Sequence, residues 1–514
     1  MNRIPHEIVD MIASQVILMY EPPPYYWKSA DRLSPYATIS RSWQYAIERH
    51  LFRRLDVLST DFSTLESILL NMRRRNYLVE LVYRVCPPRD LEGGGWRRGD
   101  PPPDLRVRHD LAEFEVQRVL ALLSETSGSD NRGQMLNVSI RLRFYNPIIT
   151  DVFEEVENPW CFEGEDEHDM GRIMWRTAGR RHNLNGQAAE CRRWKPLPVT
   201  PCIKSLKVAE TVDMYDNGFS RNGVPDPRAL PLVLSSVPNA EEVWLDIVEV
   251  STETDARIYG QQLEEVAASL PTVNLQNLRS LRLTFFCISP DWSTQPGYID
   301  HARSVSFNKA LRKVATNLQA IELTGGFFLM PEFFCPDEDA DVEWNIQTIY
   351  IETHPGCVYQ YAQRRNWEEW VGSRAWSPDF HKLNQLAVAL SRAMVYMPRL
   401  RNLILKFWPT SRMCSSAEMT LSPWVVDDAC FRYIRDMWKA GCKSNFRTGL
   451  FCDFELYPFN WDPPSEAERN WTLFQDRLNA ELVVERAGVD DQALAETQRR
   501  RMQEWTRDMS LLDL

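Results

Sequence analysis

The feature that most constrains the fold of this chain is a short apolar pattern that recurs along most of its length. Apolar residues stand at positions i, i+3 and i+5, and the last two share one face of a strand because side chains alternate there. The eight copies are Phe52-Leu55-Val57, Leu78-Leu81-Tyr83, Ile203-Leu206-Val208, Ala240-Val243-Leu245, Leu278-Leu281-Leu283, Leu318-Ile321-Leu323, Ile346-Ile349-Ile351 and Leu400-Leu403-Leu405. The sequence therefore predicts eight short strands, each with one buried face.

Several of these strands follow a second pattern, in which a helix-like apolar segment ends at a Pro or Asn turn. Such turns lie at Pro238-Asn239, Asn317 and Pro398. A unit of helix, turn and short strand cannot bury its apolar side alone, so stacked units pair their strands into one parallel sheet. The order predicts a mixed α/β chain in which residues 56–461 form a solenoid similar to leucine-rich repeats, with the helices outside the sheet.

The spacing of the units predicts that this solenoid is irregular. From Ile203 to Ile346 the triplets start 37, 38, 40 and 28 residues apart, whereas regular leucine-rich repeats span about 20–29 residues. The position at which a regular repeat places Asn or Cys holds Thr211, Val248, Phe286, Gly326, His354 and Trp408 instead. We therefore expect the asparagine ladder of regular repeats to be absent.

Two insertions and a terminal segment interrupt or end the repeated pattern. Residues 87–103 are rich in Pro and Gly, and residues 151–196 carry an acidic run followed by scattered arginines. Long loops on one side of a solenoid are either a binding surface or plain surface loops, and the sequence leaves both open. Residues 462–514 have a helical apolar period and predict a helical cap over the end of the solenoid.

The N-terminal 55 residues predict two helices that form a separate small module. Residues 1–20 have apolar side chains three and four apart, and Pro5 stands in the first turn, where its missing N–H is tolerated. After a break rich in Pro and aromatic residues, a second helix is predicted from about Leu33 to Leu51. Two helices of this length are not stable alone, so they need a further domain or a partner.

The residues of these two helices carry a resemblance to a known family. Ile4-Pro5-x-Glu7-Ile8 resembles the opening motif of F-box domains, and Ile39-Ser40-Arg41-x-Trp43 resembles their second motif. Residues 36–52 look like the form found in a large group of filamentous-fungal F-box proteins, although the segment between the motifs, 15–32, is longer than in the generic domain. The resemblance covers residues 1–55 by motif, and the remainder only by pattern.

The resemblance implies a role for individual side chains. Ile4, Pro5, Ile8 and Ile39 would contact a Skp-type adaptor, and through it a cullin, by placing an apolar strip in a groove between helices. The core of the F-box domain would be formed by Ile12, Leu33, Trp43 and Ile47. The alternative is that these side chains are only the core of a helical cap.

These expectations define the function that the sequence predicts. The chain is expected to be the substrate-recognition adaptor of an SCF-type ubiquitin ligase, which binds a Skp-type adaptor through residues 1–55 and an unknown target protein through the solenoid. The alternative is a repeat-containing interaction scaffold that has no ubiquitin-ligase role.

Several other classes of protein are not expected. The net charge of −12 and the isoelectric point of about 5.4 argue against a nucleic-acid-binding protein. Eleven cysteines include no CxxC pair, and GxSxG, HExxH and GxGxxG are absent from the sequence. We expect a non-enzymatic chain without metal or cofactor. No run of 18 apolar residues occurs, so the expected location is cytoplasmic, nuclear or both, without membrane contact.

Overall fold

The structure is a computed structural model that describes part of the chain. The described residues are 6–20, 36, 38–85, 105–126, 135–141, 193–209, 226–249, 253–287, 304–335, 343–353, 359–361, 376–378, 380–407, 429–434, 451–452, 464–467, 469–470 and 473. The insertion predicted at 87–103 lies outside them, as does most of the one predicted at 151–196.

The described helices are distributed along the chain between the strands. The α-helices are α1 (His6–Tyr20), α2 (Arg41–Leu51), α3 (Phe62–Leu70), α4 (Met72–Arg75), α5 (Leu105–Thr126), α6 (Ala229–Ser236), α7 (Glu253–Ser269), α8 (Val305–Ala315) and α9 (Phe380–Val395). Short 3-10 helices occur at Ser59–Asp61, Leu270–Thr272 and Pro331–Phe333.

The strands number thirteen in the described part of the chain. They are β1 (Arg54–Leu58), β2 (Glu80–Arg84), β3 (Leu136–Arg141), β4 (Ile203–Val208), β5 (Glu242–Glu249), β6 (Ser280–Cys287), β7 (Ala320–Phe327), β8 (Thr348–Thr353), β9 (Tyr359–Tyr361), β10 (Trp376–Pro378), β11 (Asn402–Phe407), β12 (Ala429–Ile434) and β13 (Phe451–Cys452). All eight predicted strands are therefore present, each at its apolar triplet, and β3 is the ninth strand of the same kind.

The strands of the main sheet pair in the order in which they follow one another along the chain. The sheet has eleven strands, ordered β1-β2-β3-β4-β5-β6-β7-β8-β11-β12-β13. The first nine are parallel, which confirms the predicted mixed α/β class and its parallel sheet. β12 and β13 add an antiparallel end that the sequence did not predict, and β9 pairs with β10 in a separate antiparallel ribbon.

The register of the parallel sheet is set by the apolar triplets. Their middle residues face one another in a continuous buried row across nine strands, and their last residues form a second row. The first row is Leu55, Leu81, Val138, Leu206, Val243, Leu281, Ile321, Ile349 and Leu403, all of them buried. A slip of one residue would turn both rows to the opposite face, so burial fixes the pairing.

Helices α3 and α5 to α9 bury their apolar sides against these two rows in one continuous cluster. Members from the helices include Leu65, Leu69, Val116, Leu120, Val233, Leu263, Phe307, Leu311 and Leu390. Full burial of a side chain of this size contributes about 1.5–3 kcal/mol. The core therefore lies between the helices and one face of the sheet, and the opposite face carries the alternate residues of each strand.

Helix α8 shows how local sequence fixes these units in place. The Ser304 hydroxyl accepts a hydrogen bond from the N–H of Phe307 at 3.0 Å and caps the helix. One turn later Asn308 is buried, and its amide donates to the carbonyl of Phe328 at 3.1 Å and accepts from the N–H of Met330 at 3.1 Å. This side chain ties α8 to the segment that follows β7.

The turns before the strands contain an asparagine arrangement that the sequence did not predict, although it predicted a turn at Pro238-Asn239. Asn239 donates to the carbonyl of Pro201 at 2.9 Å, and Asn277 donates to the carbonyl of Pro238 at 3.2 Å. Each amide thereby links its own turn to the turn of the preceding unit. Both residues stand directly before the first apolar residue of a triplet rather than after the strand, where regular repeats carry their Asn.

Two predicted boundaries need correction. The second N-terminal helix begins at Arg41 rather than near Leu33, because the Ser40 hydroxyl accepts from the N–H of Trp43 and caps the helix there. Residues 193–196 were assigned to an insertion, but Trp194 belongs to the buried cluster and the N–H of Lys195 donates to Glu113 at 2.7 Å. The chain has therefore rejoined the packed body by Trp194.

The described residues of the C-terminal segment pack against helix α9. Ala467 joins the main buried cluster, and the buried Asn470 amide donates to the Ser391 hydroxyl at 3.2 Å. The Arg392 guanidinium pairs with Glu466 at 2.6 Å. Residues 465–467 are helical, and the remainder of the predicted cap lies outside the described residues apart from 469–470 and 473.

Candidate functional site

Helices α1 and α2 pack together around a small core of their own, which is distinct from the main cluster. Its buried members are Val9, Ala13, Ala46 and Ile47. Trp43 is partly buried against them, and its ring stacks on that of Tyr36 with centroids 6.3 Å apart. The N-terminal helix pair is therefore held together by one face of each helix.

A second face of α1 is apolar and exposed. Ile8 is 40% exposed, Met11 56% and Ile12 39%. At 3.6 residues per turn these three positions fall within about 100° of arc, roughly a third of a turn from the buried Val9 and Ala13. An apolar face of this kind, left open on a folded helix, suits a partner surface. We refer to Ile8, Met11 and Ile12 as the exposed α1 face.

The structure places the predicted site residues as follows. Ile8 lies on the exposed α1 face, and Ile39 is 58% exposed directly before the Ser40 cap of α2. Ile47 is fully buried in the small core and Trp43 packs against it. Ile4, Pro5 and Leu33 lie outside the described residues.

Ile12 requires a correction, since the F-box resemblance assigns it to the core of the helix pair. Its side chain instead shares the exposed α1 face with Ile8, because the two residues are one helical turn apart. Val9 and Ala13 fill the interior positions. Met11 had no role assigned from the sequence, yet it is the most exposed member of the face. Its spacing of three residues from Ile8 could have placed it on the same face of the helix.

A buried carboxylate connects the helix pair to the first unit of the sheet. The side chain of Glu48 on α2 is only 6% exposed, and it accepts from the guanidinium of Arg73 and from that of Arg74 at 3.1 Å. The Arg73 guanidinium carbon lies 4.6 Å from the centre of the Tyr45 ring, and that of Arg74 lies 4.8 Å from the centre of the Phe52 ring. We call this group the Glu48 clamp.

The face of the sheet opposite the main core is mostly polar and forms the second candidate surface. One residue of each strand from β1 to β8 contributes to a row that crosses it: Asp56, Val82, Ser139, Lys207, Trp244, Arg282, Glu322 and Tyr350. We call this row, with its polar neighbours, the polar face. Its β1–β2 end is tied by the guanidinium of Arg84, which donates to Asp56 at 2.7 Å.

Trp244 is the centre of the polar face. Lys207 on the neighbouring strand places its ammonium 5.6 Å from the ring centre, and Arg282 on the other side places its guanidinium carbon at 3.8 Å. The indole N–H donates to the buried Asp246 at 2.8 Å, so the ring is held in a fixed orientation. Arg282 also lies 3.3 Å from Glu322. This arrangement holds a half-buried aromatic ring between cations, which suits contact with a protein partner.

The described residues contain no metal site built from clustered side chains. No group of three or more His, Cys, Asp or Glu residues among them could hold a metal ion. No helix in the described part of the chain is long and apolar enough to cross a membrane.

Two comparisons with known proteins assign neither a family nor a function to the chain. No protein-family model matches the chain. A search of curated proteins finds no significant match.

Proposed function

We propose that this chain is an F-box protein, the substrate-recognition adaptor of an SCF-type ubiquitin ligase. It binds a Skp-type adaptor, and through it a cullin, with the N-terminal helix pair, and it binds a target protein with the sheet-containing body. The observation that carries the proposal is the exposed apolar face of α1, which coincides with the first F-box-like motif at Ile8.

The structure of the remaining chain supports a body of stacked repeats. Nine parallel strands pair in chain order, and one apolar row runs through all of them. This is the arrangement that successive helix–turn–strand units produce when each buries its apolar side against the next. We propose that the body is a degenerate solenoid similar to leucine-rich repeats, with the polar face as the surface for the target.

The docking part of the proposal is tested with a purified Skp-type adaptor on a solid support. The full chain is compared with a Ile8→Asp/Met11→Asp variant, in which two exposed apolar side chains of α1 become charged. Loss of two apolar contacts worth about 1.5 kcal/mol each weakens binding about 100-fold. The matched control is Leu70→Asp, since Leu70 is 69% exposed on α3 and outside the proposed contact.

The outcomes separate the two functions under consideration. Retention of the unmodified chain and of Leu70→Asp, with loss of the double variant, supports the adaptor. Equal retention of all three chains rules out the exposed α1 face as the docking site. Failure of the unmodified chain to bind any Skp-type adaptor overturns the ligase role and favours an interaction scaffold.

A further inference from the structure

A groove runs along the edge of the sheet where the parallel strands begin. Its volume is about 410 Å³, and it is lined by residues that precede or open strands from β3, at Met135, to β11, at Arg399. Neighbouring strands lie about 4.8 Å apart, so the six intervals between β3 and β11 span about 29 Å. The groove is therefore long and narrow, a shape that suits a linear ligand.

The lining of the groove is polar rather than apolar. Nine of its eleven residues carry an amide or a charge, and the other two are Met135 and Leu278. A ligand here is bound by hydrogen bonds and charge, since little apolar surface is available to bury. An apolar helix, the usual occupant of hydrophobic grooves, does not fit this lining.

Six side-chain amides line the groove: Asn239, Gln276, Asn277, Asn317, Gln319 and Asn345. Asn239 and Asn277 are used within the protein, because they tie neighbouring turns together. Asn317 and Gln319, in the turn before β7, and Asn345, in the turn before β8, are exposed, and within the described part of the chain their side-chain amides have no hydrogen-bond partner. Each of these three presents a donor and an acceptor to the groove.

Of the three charged residues that line the groove, two are paired with each other in the described part of the chain. Arg279 lies 3.4 Å from Glu241, which also contacts Lys204 at 3.7 Å, so the single carboxylate is already compensated. Arg399 is exposed at the β11 end and has no ion-pair partner among the described residues. Among the described lining residues, the end of the groove near Asn317, Gln319 and Asn345 therefore carries one positive charge without an ion-pair partner.

We propose that this groove binds an extended acidic peptide segment of a partner protein. A side-chain amide matches the N–H and C=O of a peptide bond, so Asn317, Gln319 and Asn345 hold the peptide backbone, and Arg399 binds a carboxylate side chain. An extended chain advances about 3.3 Å per residue, so a groove of about 29 Å accommodates about nine residues. The site is separate from the α1 docking face and does not depend on the adaptor role.

The test uses random ten-residue peptides displayed on phage and selected against the full chain, with depletion on Arg399→Glu. Selected sequences are synthesised, and their affinities are measured by fluorescence anisotropy. We expect enrichment in Asp and Glu, and at least tenfold weaker binding to Arg399→Glu, since a charge-assisted hydrogen bond is worth about 1.5–3 kcal/mol. Gln319→Leu should weaken binding about threefold to tenfold, as should N-methylation of the peptide backbone.

Each control variant makes the same kind of substitution at an exposed position on an outer helix, away from the groove. Lys309→Glu on α8 matches the charge reversal, and Gln261→Leu on α7 matches the loss of an amide, since both side chains are exposed there. Neither variant should change the affinity for the selected peptides.

Three outcomes would overturn the proposal. The first is that selection yields no peptide whose affinity depends on Arg399, and the second is that N-methylated copies of the selected peptides bind the chain equally well. The third is that an oligosaccharide such as chitohexaose binds the chain and loses affinity in Gln319→Leu, while the affinity of the peptides does not change in that variant. That result assigns the groove to a glycan. Binding of Arg399→Glu to a Skp-type adaptor is measured in parallel, so failure here remains distinct from failure of the adaptor role.

Discussion

The Glu48 clamp gives the sharpest prediction about how the helix pair is attached to the sheet. Glu48→Gln keeps the size of the side chain and removes the charge that faces Arg73 and Arg74. Removing one partner from a fully buried ion pair costs about 3–5 kcal/mol. Here the two arginine side chains are 37% and 35% exposed, so solvent screens part of the loss, and we expect a destabilisation of about 2 kcal/mol.

The effect should be confined to the N-terminal helix pair, because its small core is separate from the main cluster. Amide hydrogen exchange followed by mass spectrometry measures such local stability. A loss of about 2 kcal/mol corresponds to about 30-fold faster exchange in α1 and α2, with no change in β4 to β7. Glu66→Gln is the matched control, since Glu66 is exposed on α3. Unchanged exchange in α1 and α2, or equal acceleration throughout the sheet, would refute the reasoning.

Two further predictions concern the buried polar groups of the body. Burial raises the pKa of the Glu115 carboxyl above its usual value of 4.5, against the opposing effects of the Tyr83 hydroxyl and Arg118. The contribution of Glu115 to stability should therefore fall as the pH rises above 4.5. Glu115→Gln should unfold at higher urea than wild type at pH 7 but not at pH 4; an equal difference at both pH values contradicts this. Asn308→Ala removes the acceptor for the N–H of Met330 and the donor to Phe328, so the free energy of unfolding should fall by about 2–4 kcal/mol in urea titrations. A loss under about 0.5 kcal/mol would show that the amide does not hold this segment.

The strands of this protein were predictable because their signal is local. Each triplet lies within six residues, and burial of its last two positions requires only that one face of the sheet is covered. β3 has the same pattern at Met135-Val138-Ile140, although it is not among the eight triplets that predicted the strands. The parallel order followed from the helix-like segments between the triplets. β12 and β13 were not among the predicted strands, and their antiparallel pairing was not predicted.

The parts that escaped prediction depend on contacts between residues far apart in the chain. Glu48 is paired with Arg73 and Arg74 of α4. The residues within one helical turn of Glu48 do not indicate these partners, which lie 25 and 26 residues away in the sequence. Trp244 is distinguishable from other tryptophans only once Lys207 and Arg282 are known to flank it on neighbouring strands. Asn317 and Gln319 lie beside Asn345 in the groove only because β7 and β8 are neighbours in the sheet.

Ile12 shows why the site residues were harder to assign than the strands. On an amphipathic helix, a spacing of three or four identifies residues on one face but does not say whether that face meets the core or a partner. Ile8 and Ile12 satisfy the spacing together with Met11, whereas Val9 and Ala13 satisfy it one position further along. Only the packing of α2 decides between the two faces, because Ala46 and Ile47 cover the second and leave the first open.

The two separate cores leave the relative orientation of the exposed α1 face and the polar face to the contacts at their junction. The small core of the N-terminal helix pair is separate from the main cluster, and its link to β1 is the short segment after Leu51. The Glu48 clamp supplies a directional constraint at this junction, since two guanidinium groups bind one carboxylate and each lies over an aromatic ring. A partner on the exposed α1 face is therefore held in a defined direction relative to the polar face, and weakening the clamp should loosen that relation while both surfaces remain intact.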